Sequence, residues 1–285
     1  MVGRVAVIGD ITGHPAELRR VLEGLGTRFD GATSVGRGWR DIAIGWPDDL
    51  HVVQVGDLIH RGPDSLGVVL LVDRLIARGA WTQVVGNHEQ LYVDRPVFVW
   101  PERIDDEAVA RLRAWWADGR MAPGAIIETA SEGDWLVTHA GLTAGFWEHG
   151  LGAPTTAGDT LAALREAASD GALWHPGRML TGTVDFNAGP VWADAGAEVY
   201  PSWQGSEHAS PFHQAHGHST AYDWDAGAWL GPRGIRPHTR LDEQQRLVTF
   251  TTGERRFVGT DPGHGAAASP VHGALVLHDA AVRTR

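Results

Sequence analysis

The chain has no cysteine among its 285 residues. Disulfides and thiolate-held metals are therefore excluded. Any bound metal must be held by histidine, aspartate, glutamate or asparagine, a nitrogen and oxygen set that suits Mn, Fe, Zn or Mg. Long apolar runs are missing too. The apolar fraction is 43%, and no stretch approaches membrane-spanning length, which is the composition of a water-soluble globular protein long enough to bury a core. Basic residues are in deficit, with 24 Lys and Arg against 35 Asp and Glu, for a formal net charge of -11. Such a surface repels backbone phosphates, so neither a nucleic acid nor a membrane is an expected partner. A metal and one or two arginines can still reverse the field locally. Met1-Val2-Gly3-Arg4 leads straight into an apolar strand, without a charged segment and a long apolar core behind it. The expectation is no signal peptide and a cytoplasmic location.

What is abundant is histidine, 15 residues, and tryptophan, 13. Apolar patterning predicts strands at 5–9, 41–44, 51–55, 81–85 and 134–138, alternating with helices at 16–24, 64–78, 105–118 and near 160–168. Further strands are expected at 246–251, 254–258 and 274–278, and a mobile surface loop at the Gly/Ala-rich 259–270. Strands alternating with helices imply a largely parallel sheet, whose ligands bind beyond the carboxyl ends of the strands. The whole chain, 1–285, reads as one domain with cleft-lining insertions at about 90–130 and 143–215.

Four expected strand ends carry polar residues that an ordinary core would not hold: Gly9-Asp10, Gly56-Asp57, Gly86-Asn87-His88-Glu89 and Thr138-His139-Ala140-Gly141. Ala215-His216-Gly217-His218-Ser219 follows a less clear strand. Glycine lets the backbone turn sharply, so that the next side chain enters a cleft. Taken singly, each string has an ordinary structural explanation. As an ordered set they read as a metal site of nitrogen and oxygen ligands.

These strings resemble the signatures of the calcineurin-like metallophosphoesterases, in particular the phosphoprotein-phosphatase branch that includes bacterial serine/threonine phosphatases. The chain reads GDITG at 9–13, GDLIHRG at 56–62, GNHE at 86–89, HAGL at 139–142 and HGHS at 216–219. The resemblance implies a four-layer αββα sandwich, with two sheets flanked by helices. It implies two adjacent divalent metals, with Mn favoured. Asp57 would bridge them, Asn87, His139 and His218 would complete one site, and Asp10 would bind at the other. Arg61, with Asn87, would hold the phosphorylated substrate, and His88 would protonate the leaving group. The implied reaction is hydrolysis of a phosphomonoester, on a phosphoprotein or a small metabolite, by hydroxide generated at the metals. Alternatives are a dinucleoside polyphosphate hydrolase and a catalytically weak phosphate- or metal-binding protein.

Two positions depart from the family pattern. Thr12 stands where a metal-binding histidine is expected, so one site should be tight and the other weak. His14 is expected to point along the start of the following helix. His60 stands where an aspartate would orient His88; it is read either as a replacement metal ligand or as a second acid/base group. The remaining expectations are structural: His208, His213 and His216 in a solvated loop, Asp223 and Asp225 in a surface turn, and Trp100, Trp115 and Trp116 in core packing.

Overall fold

The computed structural model describes residues 3–31, 35–263 and 273–283. Its strands are β1 Gly3–Ile8, β2 Arg28–Asp30, β3 Ala43–Gly45, β4 Leu50–Gln54, β5 Trp81–Val84, β6 Met121–Ala122, β7 Ala125–Thr129, β8 Gly133–Val137, β9 His213–His216, β10 Tyr222–Asp223, β11 Ala228–Trp229, β12 Thr239–Asp242, β13 Leu247–Thr252, β14 Arg255–Gly259 and β15 Ala274–Arg283. The α-helices are α1 Pro15–Gly24, α2 Ser65–Ala77, α3 Asn87–Val93, α4 Asp106–Ala117, α5 Ala157–Asp170, α6 Arg178–Thr181 and α7 Tyr200–Gly205.

Local chemistry explains the main helices. Asp64 caps α2 by accepting from the Gly67 N–H, Asp105 caps α4 through Glu107, and Thr156 caps α5 through Asp159. In α4, Ala108, Leu112 and Trp115 recur on one face and are buried. The α5 helix stops at Gly171, whose φ of 84° suits glycine.

Eleven strands join in the order β12-β13-β14-β9-β8-β7-β15-β1-β4-β5-β6. The hinge is β15. Its first part pairs antiparallel with β1 and its last part, Ala280 to Arg283, with β7. The two halves pack face to face. Val5 and Val7 of β1 and Val53 of β4 share one buried cluster with Ala125, Ile127, Trp135 and Val137 of β7 and β8. The alternate residues, Ala6, Ile8 and Val52 on one side and Ile126 and Leu136 on the other, belong to the cluster that also contains the helix residues Leu18, Val69 and Leu161. This period-two division is the signature of a sheet buried on both faces. The result is a mixed α/β sandwich flanked by helices, as the motif resemblance implies.

The sheet is less parallel than the strand–helix alternation suggests, because β15 runs antiparallel to both its neighbours and β7 to β8. Within each half, however, the site-bearing strands agree in direction: β1, β4 and β5 are parallel, and so are β8, β9 and β14. Their carboxyl ends therefore open together.

Candidate metal centre and active site

Asp10, Asp57, Asn87, His88 and His218 line one cleft of about 720 Å³, and the buried His139 touches Asn87 and His218. Asp10 follows β1, Asp57 follows β4, Asn87 and His88 begin α3 after β5, His139 follows β8 and His218 follows β9. Among the described residues, eight non-glycine residues have positive φ, and five of them are Thr12, Asp57, His60, Arg61 and His218. Left-handed backbone at such residues is unfavourable and marks a site whose side-chain directions are imposed by the surrounding fold. Glycines make the close approaches possible. A Cβ at Gly86 would overlap the Asp57 carboxylate, and one at Gly217 would overlap Asp10.

At the centre, ligand atoms of Asp57, His139 and His218 lie within 4.8 Å of one another and all three residues are buried. His139 Nδ1 lies 2.9 Å from the Val55 carbonyl oxygen, which must accept from it. The Nε2 atom of neutral His139 is then a lone-pair acceptor. Yet it faces Asn87 Oδ1 at 3.0 Å, and the same oxygen lies 3.1 Å from His218 Nδ1. Turning the amide over would let its NH₂ donate to Asp57, His139 and His218. A cation among these atoms resolves the same conflict with the amide oxygen inward. Burial pushes the His139 imidazole down and the His218 imidazole well down, which keeps both rings neutral and able to donate lone pairs. The donor set therefore fits a divalent metal held by Asp57, Asn87, His139 and His218.

A residue without an assigned role in the sequence reading supports this centre from below. The buried Glu89 carboxylate accepts from the backbone N–H groups of Asp57 at 2.7 Å, Leu58 at 2.9 Å and Gly86 at 2.9 Å. It ties the Gly-Asp turn to the Gly-Asn turn. Burial and then the neighbouring Asp57 push its carboxyl up to about 8, against the three donors that favour the anion.

Asp10 accepts from the His218 backbone N–H at 3.0 Å. Burial, then Asp261, then Asp57 push its carboxyl well above the ordinary range. Thr12 is buried and its backbone N–H donates to the Asp57 carbonyl. His14 Nδ1 lies 3.3 Å from the Ile11 carbonyl and 3.3 Å from Thr12 Oγ1.

His88 is buried, with its N–H donating to Asp57 Oδ1 at 3.0 Å and its Nε2 3.9 Å from Asp57 Oδ2. Its Nδ1 lies 2.6 Å from His60 Nδ1, and His60 Nε2 lies 2.7 Å from the Tyr92 hydroxyl. Both nitrogens of His60 are thus engaged by protein partners, His88 on one side and Tyr92 on the other. Burial, followed by His88, pushes His60 down to about 4. Arg61 lies in the cleft, its guanidinium carbon 5.2 Å from the centroid of the Trp100 ring.

Several expectations are corrected. Trp100 is not in the core: it lines the cleft, 4.6 Å from the His88 ring centroid. Trp115 is buried and Trp116 packs half-buried against Trp174. His213 and His216 are not loop residues; they begin and end β9, buried, with His213 bonded to the Glu132 carbonyl and His216 to the Tyr200 hydroxyl. His208 alone of the three is exposed. The Asp223 carboxylate accepts from the Asp225 and Ala226 N–H groups, the expected turn, and both aspartates also line the cleft. Of the expected loop at 259–270, Gly259 ends β14 and Thr260 and Asp261 are buried; residues 264–270 lie outside the described residues.

The fold and the cleft define a metal-dependent phosphoester hydrolase. A family model for calcineurin-like phosphoesterases matches residues 3–240, and the chain belongs to that family. Over 91 residues it is 40% identical to Serine/threonine-protein phosphatase 1 of Salmonella typhimurium, a match covering 32% of each chain. The match thus spans about a third of that relative's length. Among solved structures, a cold-active protein-tyrosine phosphatase of a psychrophilic Shewanella species superposes with a TM-score of 0.52 at 16% identity, covering 98% of this chain and 76% of that one. A second structure of a cold-active protein tyrosine phosphatase gives 0.51 at 16% identity, covering 98% and 74%. These two share the fold. No helix among the described residues is long and apolar enough to cross a membrane.

Proposed function

We propose that the protein hydrolyses phosphomonoesters, on a phosphoprotein or a small metabolite, at the cleft bounded by Asp57, His88 and Arg61. The observation that carries this reading is the convergence of neutral His139 and His218, Asn87 and Asp57 on one buried point, with His88 and Arg61 opening onto the same cleft. When bound there, divalent cations, of which Mn is the proposed one, supply Lewis acidity toward phosphoryl oxygens and acidify water. Arg61, at the cleft surface, binds the phosphoryl oxygens through its guanidinium fork. His88 holds a proton at Nε2 for the departing oxygen, and His60 fixes the ring from the Nδ1 side. Phe98, Trp100 and Trp192 wall the cleft and exclude water from one side of it.

The 40% identity to a serine/threonine-protein phosphatase supports a phosphoprotein substrate over the dinucleoside polyphosphate alternative. The test is hydrolysis of p-nitrophenyl phosphate and of a phosphoserine peptide by chelator-treated protein, with and without added Mn. Mn-dependent release of phosphate from the monoesters is expected. Cleavage confined to a dinucleoside polyphosphate, or no hydrolysis with any divalent ion, overturns the proposal.

A further inference from the structure

We propose that Trp100 and Glu102, on the connection between α3 and α4, are positioning residues that hold Arg61 toward the phosphoryl group of the substrate. The inference rests on the reading of the cleft as a phosphomonoester site in which Arg61 binds phosphoryl oxygens.

The backbone at Arg61 needs support. His60 and Arg61 have φ of 71° and 64°, two successive non-glycine residues in the left-handed region. Such a conformation persists only where neighbouring groups impose it. Glu102 is one of those groups: its Oε2 accepts from the Arg61 backbone N–H at 2.8 Å. The side chain is met from the same connection. The guanidinium carbon lies over the Trp100 ring, 5.2 Å from its centroid. An arginine drawn to an indole face by its charge spends none of its N–H groups on the contact, so the fork remains available to an oxyanion. Glu102 thus fixes where the Arg61 side chain starts, and Trp100 fixes where it ends.

Trp100 also ties the arginine to the histidine pair. Its ring stacks with His60 at a centroid distance of 6.0 Å and meets His88 edge-on at 4.6 Å. The connection that carries it is pinned at its entry, where Trp174 Nε1 donates to Asp94 Oδ2 at 2.7 Å and Gln90 Nε2 donates to the Arg95 carbonyl at 3.1 Å. Beyond that point the side chains alternate. Phe98 and Trp100 turn to the cleft, with Phe98 5.6 Å from the His88 ring centroid, while Val97 and Val99 are 42% and 91% exposed. The segment therefore presents its aromatic rings to Arg61 and His88 from a tethered backbone.

The test uses full-length, Mn-loaded protein and p-nitrophenyl phosphate, whose good leaving group takes His88 out of the comparison, with inorganic phosphate as a competitive inhibitor. Trp100→Leu and Glu102→Ala should each raise KM and the phosphate inhibition constant by about tenfold, with kcat changed by less than about threefold and bound metal unchanged. Trp100→Phe keeps an aromatic face and Glu102→Gln keeps an acceptor oxygen, so each should recover most of the loss. In an Arg61→Ala background, Trp100→Leu should move either constant by less than about twofold, because its effect passes through the arginine. Equal factors in the two backgrounds, or a fall in kcat alone, would make Trp100 only a wall of the cleft and overturn the proposal while leaving the phosphomonoesterase reading intact. A wild type that hydrolyses no phosphomonoester overturns both.

Discussion

His60 Nδ1 lies 2.6 Å from His88 Nδ1, two ring nitrogens that must share a single proton. On the far side of His60, Nε2 meets the Tyr92 hydroxyl at 2.7 Å. With the tyrosine donating, His60 carries its proton at Nδ1 and gives it to His88 Nδ1. That tautomer leaves the His88 proton on Nε2, the nitrogen nearer Asp57. On the proposed reading, in which His88 is the acid, Tyr92 positions it through His60. Tyr92→Phe should lower kcat about tenfold on an alkyl phosphate and hardly at all on p-nitrophenyl phosphate, because a good leaving group needs little protonation. Metal content should not change. An equal loss on both substrates contradicts this role.

On the same reading, the histidine pair sets the pH response. Burial lowers the His88 ring, and His60 is lowered to about 4. A carboxylate at position 60 would stabilise protonated His88, raising its pKa and keeping the acid form to higher pH. His60→Asp should thus move the alkaline limb of the pH–rate profile upward on a poor leaving group. The pair titrates as a unit, so the limb reports the dyad and not one ring. An unmoved limb contradicts the arrangement.

Much of the site was legible because its members are adjacent in sequence to glycine at strand ends, as in Gly56-Asp57 and Gly86-Asn87. What escaped depends on contacts across the sheet. Glu89 stood within a quoted motif, but its role exists only because it reaches the backbone of Asp57 and Leu58, some 31 residues away. In β9, His213 and His216 give a polar-looking segment, yet both are buried and hydrogen-bonded, so hydropathy concealed a central strand. Trp100 illustrates the converse: a large apolar side chain assigned to the core is the cleft wall.

Glu89→Gln should be destabilising, since its carboxamide places an NH₂ where backbone donors now converge on two carboxylate oxygens. A loss on the order of 1–3 kcal/mol is expected in denaturant unfolding of metal-free protein. Unchanged stability would mean that the two turns hold without this tie.

His51 offers a test of stability remote from the cleft. Its Nε2 meets Thr82 Oγ1 at 2.8 Å, and burial lowers the ring to about 4. A histidine whose folded pKa lies below its ordinary 6.5 takes up its proton more readily when unfolded. Its stabilising contribution is present above pH 6.5 and is lost as the pH falls toward 4. In the metal-free protein, His51→Asn should flatten the fall in Tm across that window, a difference on the order of 1–3 kcal/mol at its acid end. Parallel Tm curves for the two proteins would contradict it.

Arg61→Ala should retain the metal and lower kcat/KM by about a hundredfold, because on the proposed reading the guanidinium binds substrate oxygens and not the ion. Loss of metal in this variant would contradict its place at the cleft surface.

The most direct measurement is the metal content of purified wild-type protein and of His139→Ala, by mass spectrometry of the elements after dialysis without chelator. His139 turns Nε2 inward because Nδ1 is committed to the Val55 carbonyl. About one tightly held divalent ion per wild-type chain is expected, and none in His139→Ala. Equal metal in the two proteins would contradict the centre built on Asp57, Asn87, His139 and His218.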